Sequence, residues 1–251
     1  MLRKTLTGLM LAVALLGVVS CAKREPTKIV IASDATFPPM EMVDTNKAIV
    51  GLDVDLMNAA AKAGGFTVEF KNTAWDGIFA GLENGKYDAV MSSVTITDER
   101  KKTMDFTAPY YNAGQILTVR ADLNGVMVIA DLKGKTVGAQ IGTTGAFEID
   151  KVKDANNIKE KTYDEIGLAF EDLMNGRIDG VVVDTPTAAS YALQNEKYKG
   201  KLKTVGAPLT EEYYGVAVKK GNQKVLDLLN AGLKKVMDSG ANKAIEDKWL
   251  K

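Results

Sequence analysis

The feature that most constrains this chain is an internal similarity between two twelve-residue segments, 82–93 and 173–184. In each, an Asn-Gly pair ends a predicted helix, a short turn carries a basic residue and an Asp, and an apolar run ends at a polar residue. The similarity predicts two halves of one design. Ligands of parallel α/β sheets lie beyond the C-terminal ends of the strands, so we expect the final residues, Ser93 and Asp184, to face one cleft. The alternative is that both are helix N-caps.

Predicted strands and helices alternate along both halves, which indicates an α/β protein with largely parallel sheets. Predicted strands cover residues 28–32, 67–70, 89–92, 135–140 and 180–183. Predicted helices cover residues 53–63 with Asp53 as N-cap, 75–84, 145–153, 170–175, 185–194 and 222–249, the last interrupted near Gly240.

Composition argues against several functional classes. Without Arg3 and Lys4, which belong to a predicted leader, 30 basic residues face 32 acidic ones, so the concentrated positive field that binds nucleic acid is missing. The chain has no His, its one Cys is Cys21, and it lacks both a metal-ligand cluster and a phosphate loop of the GxxxxGK[ST] type. We therefore expect no metal and no cofactor, although Asp and Glu could still act as acid or base.

The N-terminus is typical of an exported protein. A positive start and the apolar stretch 6–19 predict a signal peptide over residues 1–20. The stretch ends in Val-Val-Ser-Cys, which resembles a bacterial lipobox and implies that Cys21 is lipidated and anchors a short tether, 21–27, to the membrane. An ordinary cleavage site followed by a chance cysteine is the alternative.

The densest polar segment is Ser-Ser-Val-Thr-Ile-Thr-Asp-Glu-Arg, residues 92–100. Thr97 is a predicted N-cap, which puts Arg100 in the first helical turn, where a cation opposes the helix dipole. A negative partner is therefore expected: Glu99, Asp105 or an anion that enters the cleft. A surface ion pair is the simpler alternative.

This segment, with IVGLDVDLMNA before it and IGTTGAF and VVVDTP after it, resembles the amino-acid-binding (type II) periplasmic proteins of ABC importers, in bacterial solute-binding protein family 3. The basic amino acid and glutamine binders are the most similar by motif. The resemblance implies two Rossmann-like lobes joined by two crossing strands. It places lobe 1 at 28–113 and 213–251, lobe 2 at 114–212, and the crossings near 112–118 and 208–213.

The same resemblance implies roles for the residues that would hold the backbone of an amino acid. Arg100 would bind the α-carboxylate, for which a guanidinium offers two parallel donors. Asp184 would accept from the α-ammonium. Ser93 and Thr95 would bind the backbone of the ligand through hydroxyl and backbone groups. The backbone N–H of Thr144, at the start of a helix, would be a site for an anion.

Other positions would select the side chain of the ligand. The resemblance implies that the rings of Phe37 and Trp75 enclose it, although either ring could instead be core. Asp34 would face its distal end, and Gln140 would be a second specificity position that can donate or accept. Ser92 completes the predicted site. A carboxylate at the distal end favours arginine or lysine over glutamine.

These expectations describe an extracytoplasmic lipoprotein that closes on a free amino acid and delivers it to the permease and ATPase of an ABC transporter. It is expected to be a monomer, at the periplasm or cell surface, touching the membrane only through its anchor. One alternative is a binder of glutamine or another polar amino acid. Another is an enzyme of the dehydratase type on the same scaffold, since fold does not decide function. A sensor domain is the third.

Overall fold

The structure is a computed structural model that describes residues 26–251. Its strands are β1 Lys28–Ser33, β2 Thr36–Phe37, β3 Glu41–Val43, β4 Ile49–Val50, β5 Thr67–Asn72, β6 Ala89–Val90, β7 Met104–Phe106, β8 Tyr111–Ala113, β9 Gln115–Arg120, β10 Thr136–Gln140, β11 Lys159–Tyr163, β12 Gly180–Asp184, β13 Leu202–Val205, β14 Glu212–Tyr214 and β15 Ala217–Lys219. Its α-helices are α1 Leu52–Gly64, α2 Ile78–Glu83, α3 Asp98–Thr103, α4 Thr144–Asp150, α5 Lys153–Asn156, α6 Ile166–Met174, α7 Thr185–Ala189, α8 Gln223–Ser239 and α9 Ala241–Leu250. The predicted signal peptide and Cys21 lie outside the described residues.

The first lobe is built on a sheet of strand order β5-β1-β6-β15-β7. Strand β1 is parallel to both of its neighbours, with Ile31 opposite Phe70 of β5 and Ala89 of β6. Strand β15 comes from the other end of the chain and is antiparallel to β6 and β7. The first lobe therefore combines N-terminal and C-terminal parts of the described chain.

The second lobe is built on a sheet of strand order β11-β10-β12-β9-β13. Strand β10 is parallel to β11 and β12, whereas β9 runs antiparallel to β12 and β13. Every residue of β12 is buried, as expected for a strand with helices on both faces. The predicted α/β class, with two sheet-containing lobes, is confirmed.

Two extended segments link the lobes. Strands β8 and β14 pair antiparallel, with Glu212 opposite Ala113. Between β8 and β9 the chain passes Gly114, where a Cβ would lie only 2.1 Å from the backbone oxygen of Thr210. A glycine is thus needed where the two links approach each other. The two crossing strands are confirmed, while the exact limits of the lobes stay a prediction.

Helices α1 and α8 pack closely on the first lobe. Leu56 of α1 and Leu229 of α8 are buried in the same hydrophobic cluster, and burying a side chain of this size contributes about 1.5–3 kcal/mol. The helices approach at Gly232, where a Cβ would lie 2.5 Å from the backbone oxygen of Ala60. The C-terminal segment is thereby held against the lobe that the N-terminal segment begins. Within residues 26–251, none of the helices has the length and apolar character needed to cross a membrane.

The prediction that Asp53 caps helix α1 is wrong. The helix begins at Leu52, and its N-cap is Gly51, which makes no side-chain capping bond. Gly51 has a φ of 144°, and a Cβ there would lie 2.0 Å from the backbone oxygen of Met40. Contact between backbones therefore decides where the helix starts, and Asp53 is buried in its first turn.

Two predicted helices also differ from those in the structure. Helix α2 begins at Ile78, so Trp75 lies in the loop before it and not in its first turn. The predicted helix over 185–194 is α-helical over Thr185–Ala189 and continues as a π-helical turn over Ser190–Gln194.

Candidate ligand-binding site

A small cavity lies between the two lobes, where β1, β6, β10 and β12 end. It is lined by Asp34, Phe37, Glu41, Trp75, Ser92, Ser93, Thr95, Arg100, Gln140, Thr143, Thr144 and Asp184. The structure thus brings all ten predicted residues together and adds two, Glu41 and Thr143. Which groups of a ligand they bind stays a prediction.

Arg100 enters the cavity from helix α3. As predicted, Thr97 caps this helix, because its hydroxyl accepts from the backbone N–H of Arg100 at 3.1 Å. The guanidinium donates to the backbone oxygen of Thr95 at 2.8 Å and to that of Gly142, in the other lobe, at 3.3 Å. Its carbon lies 5.5 Å from the centre of the Trp75 ring, close enough for a cation–π contact.

The acidic residues near Arg100 in sequence are paired elsewhere. Glu99 forms an ion pair with Lys102, and Asp105 binds Lys220 at 2.7 Å. Burial lowers the pKa of Arg100 to about 10, against the opposing charges of Asp184 and Glu212. The group therefore stays charged at neutral pH, with donors that face the cavity. Neither local carboxylate is its partner.

Asp184 ends β12 of the second lobe, lines the cavity and is 5% exposed. The hydroxyl of Tyr214 donates to its Oδ1 at 2.7 Å. Burial raises the pKa of Asp184 to about 6, and the nearby charge of Glu212 also raises it. The residue is thus a charged acceptor at neutral pH and is about half protonated near pH 6.

Asp34 and Gln140 meet across the cavity. The side-chain amide of Gln140 donates to Oδ2 of Asp34 and to the backbone oxygen of Asp164, each at 2.8 Å. Thr36 donates to the other oxygen of Asp34 at 2.8 Å. Burial raises the pKa of Asp34, although both hydrogen bonds oppose that shift. This end of the cavity therefore presents carboxylate oxygens.

A buried acidic pair, Glu41 and Asp53, lies beneath the serines of the site. The hydroxyls of Ser92 and Ser93 donate to the two oxygens of Glu41 at 3.0 and 3.3 Å. Asp53 accepts from the backbone N–H of Ser93 at 3.0 Å and from the hydroxyl of Tyr110 at 2.7 Å. Burial, and next the charge of Asp53, raises the pKa of Glu41 well above its usual value.

This pair also explains an unusual backbone. Ser93 has a φ of 50°, in the left-handed region that residues other than glycine seldom adopt. Its N–H is held by Asp53 and its hydroxyl by Glu41. The two carboxylates therefore determine how the 92–95 segment lines the cavity.

The two predicted aromatic residues are buried at the cavity wall, with Phe37 7% and Trp75 8% exposed. The Trp75 ring meets Phe79 edge to face at 5.0 Å. Arg100 lies 5.2 Å from the centre of the Phe79 ring. Trp75 thus supports the guanidinium in addition to lining the cavity.

Helix α4 brings two threonines to the cavity. Thr143 is its N-cap and accepts from the backbone N–H of Ala146 at 3.3 Å. Thr144 is its first residue, so its own N–H has no acceptor within the helix. The Thr144 hydroxyl donates to Glu212 at 2.7 Å, which makes Glu212 a further residue of the site region.

Sequence reasoning missed Glu41, Thr143 and Glu212. Glu41 follows the double proline of the loop that carries Asp34, and Glu212 falls within the second predicted crossing, so position alone could have suggested both. Thr143 adjoins a predicted residue. Nothing in the local sequence indicates that the two glutamates are buried.

Comparison with known proteins identifies the family. The profile of the bacterial extracellular solute-binding proteins, family 3, matches residues 29–251. The chain belongs to this family. The predicted resemblance is therefore confirmed, and with it the type II periplasmic binding protein fold.

Several known proteins are similar to this chain over most of their length. A probable histidine-binding protein of Neisseria gonorrhoeae is 41% identical over 221 residues, which are 88% of this chain and 82% of that protein. The ABC transporter arginine-binding protein 1 of Escherichia coli (strain K12) is 36% identical over 227 residues, 89% and 90% of the two chains. Among solved structures, an ancestral arginine-binding protein bound to arginine superposes with a TM-score of 0.85 at 39% identity, covering 91% of this chain and all of the other.

Proposed function

We propose that this family 3 protein binds a free amino acid with a cationic side chain outside the cytoplasm and delivers it to an ABC transporter. The observation that carries the proposal is that Arg100 and Asp184 line one cavity from different lobes. A charged donor and a charged acceptor from different lobes match the two ends of an amino acid backbone. Such a ligand stabilises the closed state, because only closed lobes let it contact both groups.

Each residue at this end of the cavity has a proposed role. Arg100 binds the α-carboxylate through parallel N–H donors, and the backbone N–H of Thr144 assists it. Asp184 accepts from the α-ammonium. Ser93 and Thr95 bind the remaining backbone atoms of the ligand, and Ser92 keeps Glu41 in place.

The charges around the cavity favour a basic side chain. Asp34 and Asp184 line the cavity, and Arg100 is the one basic residue among its described lining residues. A zwitterion with a guanidinium, ammonium or imidazolium side chain adds a positive charge that these carboxylates can bind. The similarity to histidine- and arginine-binding proteins supports the same ligand class. We expect arginine in particular, because the planar donors of its guanidinium suit the two carboxylate oxygens of Asp34, next to Gln140.

We propose a binding role without catalysis. Among the residues that the structure describes, no His or Cys lines the cavity, and the carboxylates whose pKa values are raised are bonded to serine, tyrosine or glutamine side chains. The similar proteins named above are binding proteins. A dehydratase on this scaffold would instead convert a prephenate-like acid, and turnover of such an acid by the purified protein would refute the proposal.

The decisive experiment is a thermal-shift panel of the twenty amino acids with the purified protein. A ligand at 100 times its dissociation constant adds about 2.7 kcal/mol to the free energy of unfolding. We expect L-arginine, L-lysine or L-histidine to raise the melting temperature most. A panel without any response would refute amino-acid binding.

The variant Arg100→Ala provides the specificity test for the panel. Removing the charged donor should weaken binding of every responding amino acid by about 2–5 kcal/mol, since the carboxylate would lose its buried partner. Arg177→Ala is the matched control, because Arg177 is an exposed surface residue that binds Asp172. Equal responses from wild type and Arg100→Ala would remove Arg100 from the site.

We also propose that residues 1–20 are removed on export and that Cys21 carries the lipid anchor of a monomeric protein. The placement of the family outside the cell supports export. Mass spectrometry of the mature protein should show an acylated N-terminal Cys21, and Cys21→Ser should abolish membrane attachment. A wild-type N-terminus without lipid would refute the anchor. Light scattering at a dimer's mass would refute the monomer.

A further inference from the structure

Glu212 occupies the point where the two lobes and their links meet. It begins β14, is 8% exposed and does not line the cavity. Its Oε2 accepts from the hydroxyls of Thr95 at 2.8 Å and Thr144 at 2.7 Å, and from the amide of Gln115 at 3.3 Å. Its Oε1 accepts from the hydroxyl of Thr210 at 2.8 Å. One buried carboxylate thus gathers donors from both lobes and both links.

These bonds differ in what happens when the lobes separate. Strand β14 is attached to the first lobe, because Ile96 donates to the backbone oxygen of Tyr213 at 2.8 Å and Thr95 forms a β-bridge with Tyr214. Glu212 and Thr95 therefore move together. Thr144 begins helix α4, which packs on β10 and β12 of the second sheet. The bond from Thr144 to Glu212 therefore crosses between lobes.

The geometry makes this crossing bond a strong one. A hydroxyl that donates to a buried carboxylate forms a charge-assisted bond, roughly twice as strong as a neutral one. The Thr144 hydroxyl also accepts from Gln115 at 3.0 Å, so its single proton is directed to Glu212. Separation of the lobes would break this bond and expose both groups to water.

We propose that Glu212 is an interlobe latch, a positioning residue that holds Thr144 only when the lobes are closed and so slows release of the ligand. The inference rests on the proposed function for the identity of that ligand. Other contacts across the cleft, such as Gln140 with Asp34 and Arg100 with Gly142, involve residues that line the cavity or adjoin its lining. Glu212 lies outside the lining, so its substitution removes no direct contact with the ligand.

The test measures association and dissociation rates of L-arginine by stopped-flow fluorescence. We expect Glu212→Ala to raise the dissociation rate at least tenfold and to leave the association rate within about twofold, because the bond forms after the ligand has entered. Glu212→Gln should lie between wild type and Glu212→Ala, since its amide oxygen can still accept from Thr144. A dissociation rate for Glu212→Ala within twofold of wild type would overturn the latch.

A double-mutant cycle separates the latch from a general loss of structure. Thr144→Val removes the donor and keeps the backbone N–H, so adding it to Glu212→Ala should raise the dissociation rate no further. Effects that simply multiply would overturn the proposal. The control is Glu211→Gln, whose side chain is exposed next to Glu212 and should leave both rates within twofold. If Glu212→Ala fails to fold, the cycle is run with Glu212→Gln and judged in the same way.

Failure of the proposed function would look different. If wild type bound none of the twenty amino acids, the latch would be measured without ligand, from spin labels at Lys71→Cys and Thr162→Cys in a Cys21→Ser background. These two exposed positions lie on the edge strands β5 and β11. Longer distances in Glu212→Ala than in Glu211→Gln would support the latch, and identical distances would overturn it.

Discussion

Asp184 combines burial with a proposed role that requires charge, so its titration should control ligand binding. Its pKa is raised to about 6, chiefly by burial. An ammonium needs the charged form, so affinity is present above pH 6 and is lost as pH falls through that value. We expect the dissociation constant for L-arginine to be about tenfold weaker at pH 5 than at pH 7.5. Titration calorimetry at the two pH values measures this.

The stability of the ligand-free protein should respond in the opposite direction. A raised pKa gives stability that is fully present below the unfolded value, 3.8, and is lost as pH rises through about 6. As pH falls from 6 to 4, protonation of Asp184 therefore stabilises the ligand-free fold and at the same time weakens ligand binding. Asp184→Asn should flatten both dependences, and an unchanged pH slope in this variant would contradict the assignment.

Asp34 should determine which side chain is accepted. Its carboxylate accepts a hydrogen bond from the side-chain amide of Gln140, and the residue lines the cavity. Asp34→Asn keeps the shape and removes the charge, so the affinity for L-arginine should fall at least tenfold, in line with the loss of a buried charge pair. L-glutamine, if bound by wild type, should be little affected. Equal losses for the two ligands in calorimetry would show that Asp34 does not face the distal charge.

At the scale of elements, the seating of helix α4 on the second sheet controls where Thr144 lies. Gly145 allows the close approach, because a Cβ there would lie 2.8 Å from both the Gln115 side-chain oxygen and the Val182 backbone oxygen. Gly145→Ala must therefore push the helix outward. Overpacking of this kind costs about 1–3 kcal/mol.

We expect Gly145→Ala to lower the free energy of unfolding by about that amount, measured in urea, and to weaken L-arginine binding. Gly167→Ala is the control, because a Cβ there meets only the Tyr191 hydroxyl, at 3.1 Å. A side-chain end can move aside more easily than a backbone oxygen. Full affinity in Gly145→Ala would show that the position of α4 does not matter to the ligand.

For the whole molecule, binding and closure should be one event. Ligand contacts from both walls, together with the bond between Thr144 and Glu212, exist only when the lobes meet. We expect the radius of gyration from small-angle X-ray scattering to fall when L-arginine is added to wild type. Arg100→Ala at the same ligand concentration should show no change. A constant radius in wild type at saturation would contradict closure on binding.

The sequence by itself indicated the class of fold, and its resemblance to family 3 supplied the predicted site residues. The similarity between 82–93 and 173–184 indicated two related lobes. The polar residues that end the two buried strands indicated the sheet edges where a ligand would bind. Ser93 and Asp184 do lie at one cavity. The position of Arg100 in the first turn of α3 could be read from the Thr97 cap, since capping is a local interaction.

Only the tertiary structure decided how these residues are supported. The start of α1 depends on the contact of Gly51 with Met40, and Asp53 becomes a buried partner of Ser93 rather than a cap. Glu212 meets Thr95 and Thr144 from distant parts of the chain. Burial and shared hydrogen bonds depend on which segments meet in space, and the spacing of residues along the sequence does not predict which distant segments meet.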